Sequence, residues 1–161
     1  MIDDQTLAPV AQTFRLRTAL LKKGRTHRII ASTRSAERGM NIAIKCYAEG
    51  GENEFHTHAE EDHSFIVLQG RATFHQPDQP SQTLGRNEGI LIPSGAYYKF
   101  EAVPGEPLVL LRVANSYAPL ESAQRNGEPT ARIGRDGTPL PAYSAANKHV
   151  AGVPIEGAFY E

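Results

Sequence analysis

The sequence has one cysteine, no tryptophan and two methionines in 161 residues. A lone Cys46 cannot close an internal disulfide, so the fold must rest on a buried core, for which a chain of this length suffices. Long apolar runs are also missing, and nothing approaches the roughly 20 residues needed to cross a bilayer as a helix. Charge of either sign is scarce in excess: Lys+Arg 17 against Asp+Glu 18 gives a net -1 with no basic run, which leaves no electrostatic footprint for nucleic acid. A basic-then-apolar leader is lacking as well, since Asp3 and Asp4 follow Met1 closely, and a cytoplasmic address is the expectation. A small molecule remains as the expected partner.

What is present is a succession of short apolar runs cut by glycine and proline. Residues 40–47 alternate, with Met40, Ile42, Ile44 and Cys46 on one side and Asn41, Ala43, Lys45 and Tyr47 on the other, the period of a half-buried strand. Cys46 is read as packing in that strand, because a buried thiol is usually inert. Further strands are expected over 27–31, 63–68, 72–75, 82–84, 89–92, 97–100 and 107–114. The turns lie at Gly70, Pro77 to Pro80, Gly85 to Glu88, Pro93 to Gly95 and Val103 to Pro107. Many short strands with such punctuation predict an all-β sandwich or barrel. Residues 14–24 predict a short strand running into about two turns of helix, ended by Lys22, Lys23 and Gly24. From Tyr117 onward prolines and glycines interrupt the chain with few apolar runs between them, which predicts an extended tail ending on Phe159 and Tyr160. The division expected is 1–36 for an N-terminal arm, strand and short helix, 37–116 for the barrel, and 117–161 for a tail packing on the barrel or on a partner subunit.

The chemistry is concentrated between Gly50 and Gly70. His56 and His58 are two apart, so on a strand both imidazoles point to one side. His63 opens the next apolar run and brings in a third. Three imidazoles meeting at one point suit a divalent transition metal. The acidic run Glu60, Glu61 and Asp62 between them reads as a solvated loop, one member of which is placed to orient an imidazole.

Five residues separate Gly50 from His56, four separate His58 from His63, six separate His63 from Gly70, and a Pro-x-Gly turn follows at Pro93, Ser94 and Gly95. This pattern resembles the cupin superfamily over residues 40–114. Two positions depart from it: His63 stands where the family usually has Glu, and the histidine of the second motif falls on Tyr98. Asp62 is the alternative ligand to His63, but its distance to Gly70 is one residue too long. The resemblance implies a double-stranded β-helix (jelly-roll) barrel and a homodimer joined along a barrel sheet. It also implies a metal-dependent enzyme, with an Fe(II) dioxygenase favoured because three-histidine iron sites in the family often have that activity. Fe(II) is the expected metal, with Zn, Ni or Mn as alternatives, since three histidines leave positions open for substrate and dioxygen. Tyr98 is the candidate catalytic group, as acid, base or ligand. Tyr47, Phe65, His75, Phe100 and Arg112 are the candidate substrate contacts, with Arg112 or Lys45 offering a cation to a carboxylate. A non-redox lyase, isomerase or cyclase, and a binding module without turnover, are the other readings.

Overall fold

The computed structural model describes residues 10–16, 25–34, 39–48, 54–116, 132–133 and 136. Ten strands follow in order: β1 (Arg25–Arg34), β2 (Gly39–Tyr47), β3 (Thr57–His58), β4 (Glu61–Gln69), β5 (Ala72–His75), β6 (Gln82–Leu84), β7 (Gly89–Ile92), β8 (Lys99–Ala102), β9 (Leu108–Ser116) and β10 (Arg132–Ile133). Among the described residues there is no helix. The expected one falls largely on residues outside them. A five-stranded sheet runs β1-β2-β9-β4-β7 and a three-stranded sheet β6-β5-β8, while β3 pairs with β10. All the pairings are antiparallel.

Register decides which side chains face inward. On the five-stranded sheet one row runs Asn41, Ala114, His63, Ile92, and the next runs Ala43, Arg112, Phe65, Ile90. Lys45, Leu110 and Val67 form the row below, and Tyr47 with Leu108 the last. Against these rows the three-stranded sheet sets Ala72, Phe74 and Phe100, and one core cluster results. Its aromatic rings meet at angles, Tyr47 on Phe100 at 5.0 Å and Phe74 on Phe100 at 5.2 Å between centroids, as ring quadrupoles prefer. Each such side chain contributes about 1.5–3 kcal/mol by leaving water.

The strand expected to be half-buried is covered on both faces. Ala43 through Ala48 are all buried, and the even-numbered side pairs Ile44 and Cys46 with Leu68 and Val109 in a second cluster, with Leu16 and Ile30 packed against it. The barrel interior is therefore the face of β2 that carries Asn41 and Lys45. This reverses the expectation from hydrophobicity alone, because the apolar face belongs to the outer layer.

Two turns fix the geometry around the site. Gly70 has φ 73°, and a Cβ there would stand 2.7 Å from the Pro107 carbonyl oxygen, so glycine is required where β4 turns toward β5. The Pro93-Ser94-Gly95 turn is fastened from below: Gly95 N donates to the His58 carbonyl at 2.9 Å and Ser94 N to Asp62 Oδ1 at 2.7 Å.

Candidate metal centre

That fastened turn delivers Tyr98. Expected inside a strand over 97–100, Tyr98 instead forms an isolated bridge with His56, donating its N–H to the His56 carbonyl at 3.0 Å and accepting from His56 N at 3.2 Å. Strand β8 accordingly begins one residue later, at Lys99. The histidine of the first segment and the tyrosine of the second are thus locked backbone to backbone.

The three predicted imidazoles come together. Ring centroids lie 5.2 Å apart for His56 and His58 and 5.0 Å for His58 and His63, with Tyr98 4.6 Å from His56 and 5.3 Å from His63. All four residues are buried. Adjacent strand positions diverge as parity requires: His63 points inward, while Asp62 is half-buried and spends its carboxylate on Ser94.

Glu61 corrects the reading of the acidic run as solvated loop. Strand β4 begins at Glu61, two residues ahead of His63 and therefore on the same face, and Glu61 is 5% exposed. Its Oε1 lies 3.3 Å from His63 Nδ1, 4.0 Å from His58 Nδ1 and in close contact with Arg112 Nη2. Arg112 in turn donates to Asn41 Oδ1 at 3.1 Å. Arg112, expected to meet a substrate carboxylate, is engaged by the protein's own carboxylate, because the register sets β9 directly beside β4.

A backbone partner fixes the His56 tautomer. His56 Nδ1 is 2.7 Å from the Glu54 carbonyl, a group that only accepts, so Nδ1 bears the hydrogen and Nε2 the lone pair of the neutral ring. Glu61 Oε1 lies 3.3 Å from His63 Nδ1 without a hydrogen bond between them. His63 Nε2 and the Tyr98 hydroxyl share a hydrogen bond of 3.0 Å. Burial pushes the His58 imidazole from 6.5 down to about 2, helped by His63, His56, Arg112 and Lys45. Burial, then the Lys45 charge, takes His63 to about 4, while Asp62 opposes the shift. Both rings are neutral near pH 7, the form in which imidazole binds metal.

His58, Glu61 and His63 offer ligand atoms that lie within 4.8 Å of one another, and the three together could hold a metal ion. The donor set fits the group that the motif implies: neutral imidazole nitrogens with a buried carboxylate beside them. Which member of the acidic run orients an imidazole was left open in the sequence, because three acidic residues in a row resemble a loop. Counting back by two from His63 singles out Glu61.

The remaining candidates divide. Tyr47, Phe65 and Phe100 belong to the core cluster, Phe65 lying 5.3 Å from the His63 ring. His75, expected at the barrel mouth, lies on the outward-facing side of β5, where it meets Ser81 Oγ at 2.8 Å and Glu101 at 3.5 Å. Its parity with Thr73, opposite the inward Ala72 and Phe74, explains the displacement.

The cupin-domain family model matches residues 43–114. Among solved structures, the cupin domain of Cnp3 from Schizosaccharomyces pombe superposes with a TM-score of 0.51 at 13% identity, covering 70% of this chain and 75% of that one. KdgF from Halomonas sp. gives 0.50 at 15% identity, covering 69% and 93%. A conserved protein with a double-stranded β-helix domain from Klebsiella pneumoniae gives 0.50 at 16%, covering 60% and 75%. No curated protein matches the sequence. At these identities the structures establish the fold, and the family match spans every histidine of the centre. With the jelly-roll pairing and the histidine motif in register, residues 43–114 match the cupin domain.

Proposed function

We propose that this cupin is a metal-dependent oxidoreductase, an Fe(II) dioxygenase acting on a small oxygenated or aromatic compound. In this reading His56, His58 and His63 supply the metal's nitrogen ligands. The observation that carries it is the arrangement of the imidazoles: buried, with His58 and His63 neutral near pH 7, and with Nδ1 of His56 and His63 turned to protein oxygens, leaving Nε2 for an ion. Neutral ligands leave the ion its full charge, and imidazole suits iron while admitting zinc, nickel or manganese. When bound, Fe(II) supplies a place where dioxygen and an oxygenated substrate are held side by side.

The chain's own residues do the rest. Glu61 orients two of the rings, and Arg112 and Asn41 keep Glu61 in place. Phe65 and Phe100 give the substrate an apolar wall. Tyr98, whose hydroxyl meets His63 Nε2 at 3.0 Å, would hold or move a proton on the substrate. The same placement of a buried phenol supports a second reading, a non-redox lyase, isomerase or cyclase in which Tyr98 is the acid or base. A homodimer joined along a barrel sheet belongs to the proposal. The exposed Ile29 of β1, an edge strand of the larger sheet, supports it, and light scattering tests it.

Elemental analysis of untagged protein prepared without oxygen tests the metal. Iron, with oxygen uptake on adding a diketone or a catechol, is the expected result; tightly held zinc or nickel without oxygen dependence moves the assignment to the second reading. Tyr98→Phe is expected to keep the metal and lower turnover by roughly 10²–10⁴-fold. Loss of the metal in that variant would make Tyr98 a ligand instead.

A further inference from the structure

The ladder between β4 and β7 ends at the pair His63 and Ile92. Pro93 follows and brings no N–H to continue it. The side chain of Asp62 supplies the next tie, its Oδ1 accepting from Ser94 N at 2.7 Å, a charge-assisted bond. The neighbouring Gly95 N goes to the His58 carbonyl at 2.9 Å. One turn therefore holds both ends of the connection that runs from His58 to His63. The turn is closed by Ala96 N on the Pro93 carbonyl at 3.1 Å. With Gly95 at φ 81° it has the type II form, whose second residue accepts proline.

The consequence is a matter of spacing. His58 ends a strand of two residues and His63 lies near the start of the next, with the exposed Ala59 and Glu60 leading from one to the other. So short a strand and an exposed turn do not set the separation of two rings by packing. The Pro93-Ser94-Gly95 turn does, and the chain runs on from it to Tyr98, which bridges to His56 and whose hydroxyl meets His63 Nε2. Among the described residues, the ties of this segment to His58 and His56 are backbone to backbone, whereas its tie to β4 at Ser94 depends on a side chain. Asp62 alternates with His63 along β4, so its carboxylate belongs to the opposite face.

We propose that Asp62 is a positioning residue of the centre: by holding the Ser94 N–H it sets the separation of the His58 and His63 rings to one that grips a divalent ion. This rests on the metal-dependent reading above and adds to it a residue that binds neither ion nor substrate.

Ser94→Pro tests the bond without touching the carboxylate, since proline suits that turn position and deletes the N–H that Asp62 holds. Full-length protein is titrated with Co(II) alone and followed by visible absorption and metal content. Asp62→Ala and Ser94→Pro are each expected to weaken Co(II) binding by about 10–100-fold and to shift the visible spectrum in the same way. The double variant should bind no worse than either single one, because both remove one bond. Asp62→Asn keeps an oxygen acceptor and should recover part of the affinity. The midpoint of denaturant unfolding should stay near the natural protein's in all of them; should Asp62→Ala fail to fold, Ser94→Pro carries the comparison. Loss of affinity in Asp62→Ala without loss in Ser94→Pro would make Asp62 a ligand or a charge acting through space, and would overturn the proposal. Additive losses, or unchanged affinity and spectrum in both variants, overturn it as well. If the natural protein takes up no Co(II), the metal-dependent reading fails instead. Amide exchange at Gly95 in the metal-free protein then decides: faster exchange in both variants supports Asp62 as the group that fixes the turn on His58, and unchanged exchange refutes it.

Discussion

Glu61 concentrates the energetics of the centre in one carboxylate. It meets the Nδ1 edges of His58 and His63 and a buried guanidinium together. Glu61→Gln keeps the shape but strands the Arg112 charge, and we expect a loss of roughly 3–5 kcal/mol in denaturant unfolding with metal affinity lower by about 10–100-fold. Replacing both partners, Glu61→Met with Arg112→Met, should restore most of the stability and none of the affinity. Metal binding as tight as the natural protein's in that double variant would remove Glu61 from any orienting role. The imidazoles also set an acid limit. His63 at about 4 and His58 at about 2 lie below the 6.5 of the unfolded chain, so between these values the unfolded chain binds more protons. Stability is then greatest above pH 6.5 and falls as pH falls, for His63 down to about 4 and for His58 down to about 2. Each ring contributes a slope of about 1.4 kcal/mol per pH unit inside its window. Unfolding of metal-free protein followed from pH 8 to 4 should show it, and His58→Gln should halve the slope.

At the scale of the strand, period-two alternation over 40–47 and short apolar runs cut by glycine and proline made the barrel legible, and the His-x-His spacing placed two imidazoles on one face. Strands β5, β6 and β7 begin and end where glycine, proline and the apolar runs put them. What the sequence hid has specific causes. The start of β4 was lost because Glu61 and Asp62 are acidic, although a buried arginine on β9 makes such a start favourable. The inner face of β2 was left divided, because Ile42, Ile44 and Cys46 outweigh Asn41 and Lys45 in hydrophobicity while the candidate contact Tyr47 shares the parity of the latter. The inner face is the more polar of the two buried faces, and periodicity alone cannot separate a solvent face from a buried polar one. Tyr98 left its expected strand because its backbone bonds go to His56, a long-range pairing that no local pattern carries.

Across the whole molecule, the centre depends on chain segments far apart in sequence. Strand β3, which carries His58, has two residues, and such a pairing is marginal alone. One side of it is held by the Gly95 N–H on the His58 carbonyl. The other is held by β10, with Arg132 opposite His58 and Ile133 opposite Thr57. The part of the chain read as a tail thus reaches the backbone of a candidate metal ligand, whereas the two core clusters draw on β2, β4, β5, β7, β8 and β9. Metal retention and global stability should therefore separate. In Ile133→Pro, where the ring removes an N–H and disfavours strand pairing, we expect faster amide exchange at Thr57 and His58 and faster loss of bound metal to a chelator. The midpoint of denaturant unfolding should stay nearly unchanged, because the side chains that leave water are packed elsewhere. Unaltered exchange at Thr57 and His58 would mean that the Pro93-Ser94-Gly95 turn alone holds β3, and the centre would then be a property of residues 43–114 without the chain that follows.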